Sequence, residues 1–128
     1  MTNEELIAKA RQAQQNAYAP YSGFKVGAAL LSGDGKVFTG CNVENASYGL
    51  SVCAERTAIF KAVSEGIKEF AAMAIAGSGE GFIYPCGACL QVLAEFAPEI
   101  KLIITDEKNQ SKEYNLQEML PRLFVLPK

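Results

Sequence analysis

The sequence predicts an α/β fold, on three observations. Two strand-like apolar runs, "KVGAALLS" and "KVFTGCNVE", flank the turn "GDG" and read as a β-hairpin. Beyond them, segments with helical periodicity alternate with short, continuous apolar runs. Finally, Gly and Pro fall where those segments should stop. Hairpin, helix, strand, helix, strand implies a mixed sheet with helices packed on it, and crossover connections should set the later strands parallel. The competing arrangement is α+β with a wholly antiparallel sheet.

Each element has its own justification. The first helix opens at Thr2, with Glu5 in capping-box spacing, and carries Leu6, Ile7, Ala10, Ala13 and Ala17 at helical intervals until "APYSG" breaks it. The hairpin follows. "CAERTAIFKAVSEG" is a helix with Ala58, Ile59, Ala62 and Val63 apolar and Gly66 as its stop. "FAAMAIAG" is a buried strand, and "GSGEGFIYP" a loop without the Lys-Ser/Thr of a phosphate-binding P-loop. "CGACLQVLAEFA" is a helix ended by Pro98, "KLIIT" a buried strand, and "LQEML" a short last helix before Pro121. No repeat or low-complexity segment interrupts this plan, and the whole of 1–128 is expected to be a single domain.

Composition removes several function classes. A formal net charge of −2 offers no basic field for a nucleic-acid backbone, so no nucleic-acid partner is expected. Apolar residues make up 49% but lie in short runs, and the N-terminal segment is polar and acidic, so no membrane partner is expected and a cytoplasmic setting is. The chain has no histidine. Ser-His-Asp and Cys-His catalysis are excluded, a general base must be Glu, Asp, Lys or Tyr, and a transition-metal site must rest on cysteine. Four cysteines are present, at 41, 53, 86 and 89, and in a cytosolic chain they suit metal ligation or burial better than disulfides.

Cys86 and Cys89 in "PCGAC" are three apart at a helix start, on one face, and can hold one ion together. Cys41 and Cys53 are the candidates for a third ligand. Cys53 also precedes a predicted helix, and two electropositive helix N-termini would favour thiolates at a shared point. Three thiolates on Zn²⁺ leave one negative charge, and Arg56, one turn after Cys53, can donate to sulfur. Cys41 is expected to be a small buried residue, facing away from Asn42 and Glu44. The fourth position then stays open to water, as in a catalytic zinc site rather than a structural one. Glu55 is two residues past Cys53, so it is poorly placed as a ligand but well placed to accept a proton from that water.

"CAERTA", followed some thirty residues later by "PCGAC", resembles the zinc-dependent cytidine deaminases in their small, homotetrameric, three-cysteine form. "AYAPYSGFKVGAALL", "GCNVENASYGLSVCAERTAIFKAV" and "LPRLF" resemble further segments of that family, so the likeness covers most of the chain. It implies a three-layer fold whose mixed central sheet of about five strands carries helices on both faces. It also implies one Zn²⁺ per chain on Cys53, Cys86 and Cys89, and hydrolytic deamination of cytidine and 2′-deoxycytidine to the uridines, with release of ammonia, in pyrimidine salvage. A zinc-activated water would attack C4 while Glu55 shuttles protons to N3 and to the leaving amine. Asn42 and Glu44, read as neighbours on one strand face, would bind the ribose 3′-hydroxyl. Phe24 would pack on the pyrimidine, and backbone groups at Ala54 and Cys86 would hold the base edge or the hydroxide. Tyr48 and Phe124 would reach a neighbouring subunit's pocket in a homotetramer with shared active sites.

One departure stands out: the family commonly has Arg directly after the second cysteine of "PCGxC", where this chain has Leu90. Arg56 is then the main local compensation for thiolate charge. Three rival readings remain: a closed Cys₄ module using Cys41, a deaminase of another aminated heterocycle such as blasticidin S, and a polynucleotide deaminase. The last would need a basic channel with stacking aromatics, and Lys and Arg are scattered here.

Overall fold

The computed structural model describes residues 1–127. Its elements are α1 (Asn3–Gln14), β1 (Val26–Ser32), β2 (Val37–Cys41), a 3₁₀ turn (Tyr48–Leu50), α2 (Ala54–Ser64), β3 (Phe70–Gly77), α3 (Gly87–Phe96), β4 (Lys101–Thr105), β5 (Ser111–Asn115) and α4 (Leu116–Met119). The strands form one sheet in the order β2-β1-β3-β4-β5. Only β3 and β4 run parallel, joined through α3, and every other neighbouring pair is antiparallel. The mixed sheet excludes the wholly antiparallel alternative.

The layers follow from side-chain alternation along the strands. On one face, Ala29, Ala72, Ala74, Ala76 and Ile103 pack against Leu6, Ile7 and Ala10 of α1. On the other, Ala28, Leu30, Met73, Ile75 and Leu102 meet Ala58, Ile59 and Ala62 of α2 and Leu90, Leu93 and Ala94 of α3. The central strands are buried on both sides, which is why they read as continuous apolar runs rather than alternating ones. Leu90 lies in this core, 5% exposed, so no side-chain cation stands at its position.

Helix starts lie where their sequence signals placed them. Thr2 accepts from the Glu5 backbone N–H at 3.1 Å while Glu5 reaches back to Thr2, closing the expected capping box. Cys53 and Cys86 are the N-cap residues of α2 and α3, both with extended backbone. Two expectations need correction. The strand read through "CNVE" ends at Cys41, and Val43 makes only isolated bridges to Tyr18 and Val52, so Asn42 and Glu44 do not share a regular strand face. A fifth strand, "SKEYN", was not read from the residues: it pairs with β4 along one side only and is almost entirely exposed, so it carries no apolar signal.

Candidate active site

The two helix N-termini meet as their sequences suggested. The sulfurs of Cys53, Cys86 and Cys89 all lie within 4.8 Å of one another, with Cys86 Sγ 3.4 Å from Cys89 Sγ and 4.0 Å from Cys53 Sγ. Two thiolates about 2.3 Å from a shared tetrahedral ion sit about 3.8 Å apart, so the spacing suits Zn²⁺ without rearrangement. Cys89 is fully buried, Cys53 half-buried and Cys86 exposed, which leaves one side of the cluster open. Cys41 is half-buried rather than buried, and among the described residues it is not part of any metal-binding group. A closed Cys₄ site is therefore not formed.

Charge is distributed unevenly over the cluster. The Cys53 thiol is lowered to about 5, first by a hydrogen bond from Cys89 and then by Arg56, whose Nη2 donates to Cys53 Sγ at 3.4 Å. Cys89 is raised, because it donates to Cys53 and is itself desolvated. The Arg56 guanidinium is held more firmly protonated by its hydrogen bond to Cys53, and its Nε is buried with no hydrogen-bond partner among the described residues.

Glu55 occupies the first turn of α2 and is 5% exposed. Its carboxyl is raised to about 7, chiefly by burial and secondarily by the Cys53 charge, against the pull of its own backbone N–H and of Arg56. A carboxyl poised near neutrality can both accept and release a proton.

A cavity of about 290 Å³ joins these groups to the front of the sheet. It is lined by Phe24, Asn42, Glu44, Cys53, Ala54, Glu55 and Cys86, all expected from the sequence, and by Ser22, Val26, Ile83 and Tyr84, which were not. Ile83 and Tyr84 immediately precede "PCGAC", and that adjacency was the only sequence signal available for them. Asn42 is more committed than expected. Its Nδ2 donates to the Phe24 carbonyl at 2.8 Å and its Oδ1 accepts from Val26 N–H at 2.8 Å, so it clasps the segment that carries Phe24. Glu44 accepts from the backbone N–H of Tyr21 at 2.9 Å and of Ser22 at 3.1 Å, and from the Ser22 hydroxyl. The Ser22 bond is the chief reason its carboxyl is held below the usual range.

Tyr48 and Phe124 are not in this cavity. Tyr48 borders an adjoining hollow with Tyr21, Ser22, Glu44 and Ser51, its ring edge-on to Tyr21 at 5.8 Å. Phe124 lies elsewhere, its backbone held at both ends by the Gln91 amide, with its N–H on Gln91 Oε1 at 3.1 Å and its carbonyl accepting from Gln91 Nε2 at 2.9 Å. Both rings are strongly exposed, so neither is the core residue that a Phe or Tyr usually becomes.

Comparison with known proteins agrees with this arrangement. Residues 1–105 match the family described as the cytidine and deoxycytidylate deaminase zinc-binding region. A cytidine deaminase of Sporosarcina psychrophila is 47% identical over 97% of this chain and 92% of its own length. The crystal structure of a cytidine deaminase from Burkholderia pseudomallei superposes with a TM-score of 0.94 at 51% identity, covering 97% of this chain and all of that one. That from Mycobacterium tuberculosis gives 0.82 at 41%, over 96% of this chain and 97% of its own. With three clustered sulfurs, a buried carboxylate at the cavity that two of those cysteines line, and likeness running along nearly the whole length, this chain belongs to the zinc-binding cytidine and deoxycytidylate deaminase family.

Proposed function

We propose that the chain is a zinc-dependent hydrolase that converts cytidine and 2′-deoxycytidine to uridine and 2′-deoxyuridine, releasing ammonia, in pyrimidine salvage. The observation that carries this reading is the placement of buried Glu55 beside the three-sulfur cluster, in one cavity large enough for a nucleoside base. Cys53, Cys86 and Cys89 would hold one Zn²⁺ per chain. When bound, that ion supplies Lewis acidity and lowers the pKa of water towards about 7.

The chain's own residues do the rest. Glu55 accepts a proton from the attacking water and donates it to N3 of the cytosine, which makes C4 electrophilic. The water oxygen bonds to C4, Glu55 carries the second proton to the exocyclic amine, and the C4–N bond breaks. One carboxylate serves in both directions, in a chain with no histidine. Phe24 and Ile83 supply apolar walls for the base, and the backbone at Ala54 and Cys86 offers groups for its polar edge. Glu44, with the free Nδ2 hydrogen of Asn42, suits a ribose hydroxyl. Among the described residues, neither this cavity nor the hollow beside it is lined by Lys or Arg, and ionised Glu44 lies between them. A 5′-phosphate would find no cation there, which favours the nucleoside over the nucleotide.

The chain would act as a homotetramer with shared sites, in which exposed Tyr48 and Phe124 close a neighbour's pocket. A reducing, cytoplasmic setting suits three thiols kept unpaired for metal, and no helix among the described residues is long and apolar enough to cross a membrane. The deciding experiment follows ammonia release and the loss of cytosine absorbance on adding cytidine to zinc-loaded protein. Glu55→Gln should lower kcat by about 10²- to 10⁴-fold while keeping its zinc. Zinc-loaded wild type that turns over neither cytidine nor deoxycytidine would overturn the reading.

A further inference from the structure

Arg11 stands in the last turn of α1, on the face of the sheet opposite α2 and α3. Its guanidinium donates from Nε to Asn109 Oδ1 at 2.7 Å, from Nη1 to the Gly77 carbonyl at 2.9 Å and Gln14 Oε1 at 3.0 Å, and from Nη2 to the Asp106 carbonyl at 2.6 Å. All four acceptors are neutral oxygens, and among the described residues no carboxylate pairs with it. Gly77 is the last residue of β3, and Asp106 directly follows β4. One rigid fork therefore ties together the carboxyl ends of the two parallel strands, the edge beyond which ligands bind in α/β sheets.

The far side of this tie faces the cavity. A Cβ on Gly77 would lie 2.9 Å from Ile83 Cγ1 and 3.3 Å from Phe24 Cζ, so both side chains pack directly on the Gly77 backbone. Phe24 continues over Gly79, where a Cβ would be 3.2 Å from Cε2. Ile83 is fastened in turn, its N–H bonding the Thr105 carbonyl at 3.1 Å, next to Asp106. Phe24 and Ile83 are cavity walls.

We propose that Arg11 is a positioning residue for the substrate, acting through the sheet: by fixing the Gly77 and Asp106 carbonyls it sets where Phe24 and Ile83 stand against the pyrimidine. This rests on the nucleoside reading above. The cysteines and Glu55 hang from α2 and α3 on the other face, so loss of Arg11 should leave the metal and the proton carrier in place. Contacts made equally in ground and transition states govern KM rather than kcat.

The test compares zinc-loaded wild type, Arg11→Met and Arg11→Lys in cytidine turnover, well below each unfolding midpoint. Arg11→Met should hold one zinc per chain, keep kcat within about twofold, and raise KM for cytidine about tenfold. Arg11→Lys, which keeps the charge but cannot span both carbonyls, should fall between. A lowered midpoint with unchanged KM would reduce Arg11 to a purely structural tie and overturn the proposal. Should Arg11→Met fail to fold, Gly77→Ala presses on the same two walls with the guanidinium intact. It should raise KM with zinc unchanged, and an unchanged KM there overturns the proposal too. Inactive zinc-loaded wild type would fail the nucleoside reading itself, and is distinguishable because it precedes any comparison of variants.

Discussion

Among the described residues, Arg56 is the one cation that touches the sulfur cluster, through Cys53 at 3.4 Å. Leu90, buried in the core directly after Cys89, offers no charge in its stead. Removing Arg56 leaves a half-buried thiolate uncompensated, so Arg56→Ala should weaken zinc binding by about 10- to 100-fold, the usual cost of losing a residue that supports a metal ligand. Chelator competition measures this directly, and equal affinity in mutant and wild type would mean that solvent already screens the cluster. At this scale the sequence was highly legible for which residues gather at the candidate site, because Cys53, Glu55, Arg56, Cys86 and Cys89 owe their relations to a single helical turn each. It was less legible for Asn42, whose amide is spent on the backbone of Phe24 and Val26, sixteen or more residues earlier in the chain.

Between elements, two glycines set how closely helices approach the sheet. A Cβ on Gly40 of β2 would meet Ala58 N at 2.6 Å and Ala54 O at 2.7 Å, both backbone atoms of α2. One on Gly27 of β1 would meet Ala10 O at 2.0 Å and Gln14 N at 2.5 Å in α1. Backbone cannot swing aside as a side chain can, so each Gly→Ala should cost about 1–3 kcal/mol or more in urea unfolding. The consequences for zinc should differ. Gly40→Ala displaces the helix start bearing Cys53 and Glu55 and should lower zinc affinity, whereas Gly27→Ala acts on the opposite face and should leave it unchanged. Equal zinc affinity in both variants would show that α2 can shift without moving its first turn. The elements themselves were read well wherever burial gave them a pattern. β5 escaped because an exposed edge strand has no apolar periodicity to display.

For the molecule as a whole, the exposed apolar residues are the unbalanced feature. Tyr48, Leu50, Phe124, Val125 and Leu126 are each 64–74% exposed, and in the proposed homotetramer a neighbouring subunit would cover part of this apolar surface. Association covers such surface, and sedimentation equilibrium of the zinc-loaded protein should give four times the 13.8 kDa chain mass. Phe124→Ala should raise KM for cytidine if that ring closes a neighbour's pocket. A species of single-chain mass at micromolar concentration would overturn the shared-site arrangement.

The sequence by itself determined the candidate ligand set, the candidate proton carrier, the absence of any histidine chemistry and the order of the main elements. These follow from residue identity and from spacings within one turn or one strand, which are local and survive in any packing. Only the tertiary structure decided the walls at Ile83 and Tyr84, the separation of Tyr48 and Phe124 from their own chain's cavity, and the reach of Arg11 to Gly77 and Asp106. Those contacts join residues sixty or more positions apart, or depend on where a loop is pinned, and no local pattern encodes a distance that the sheet alone creates.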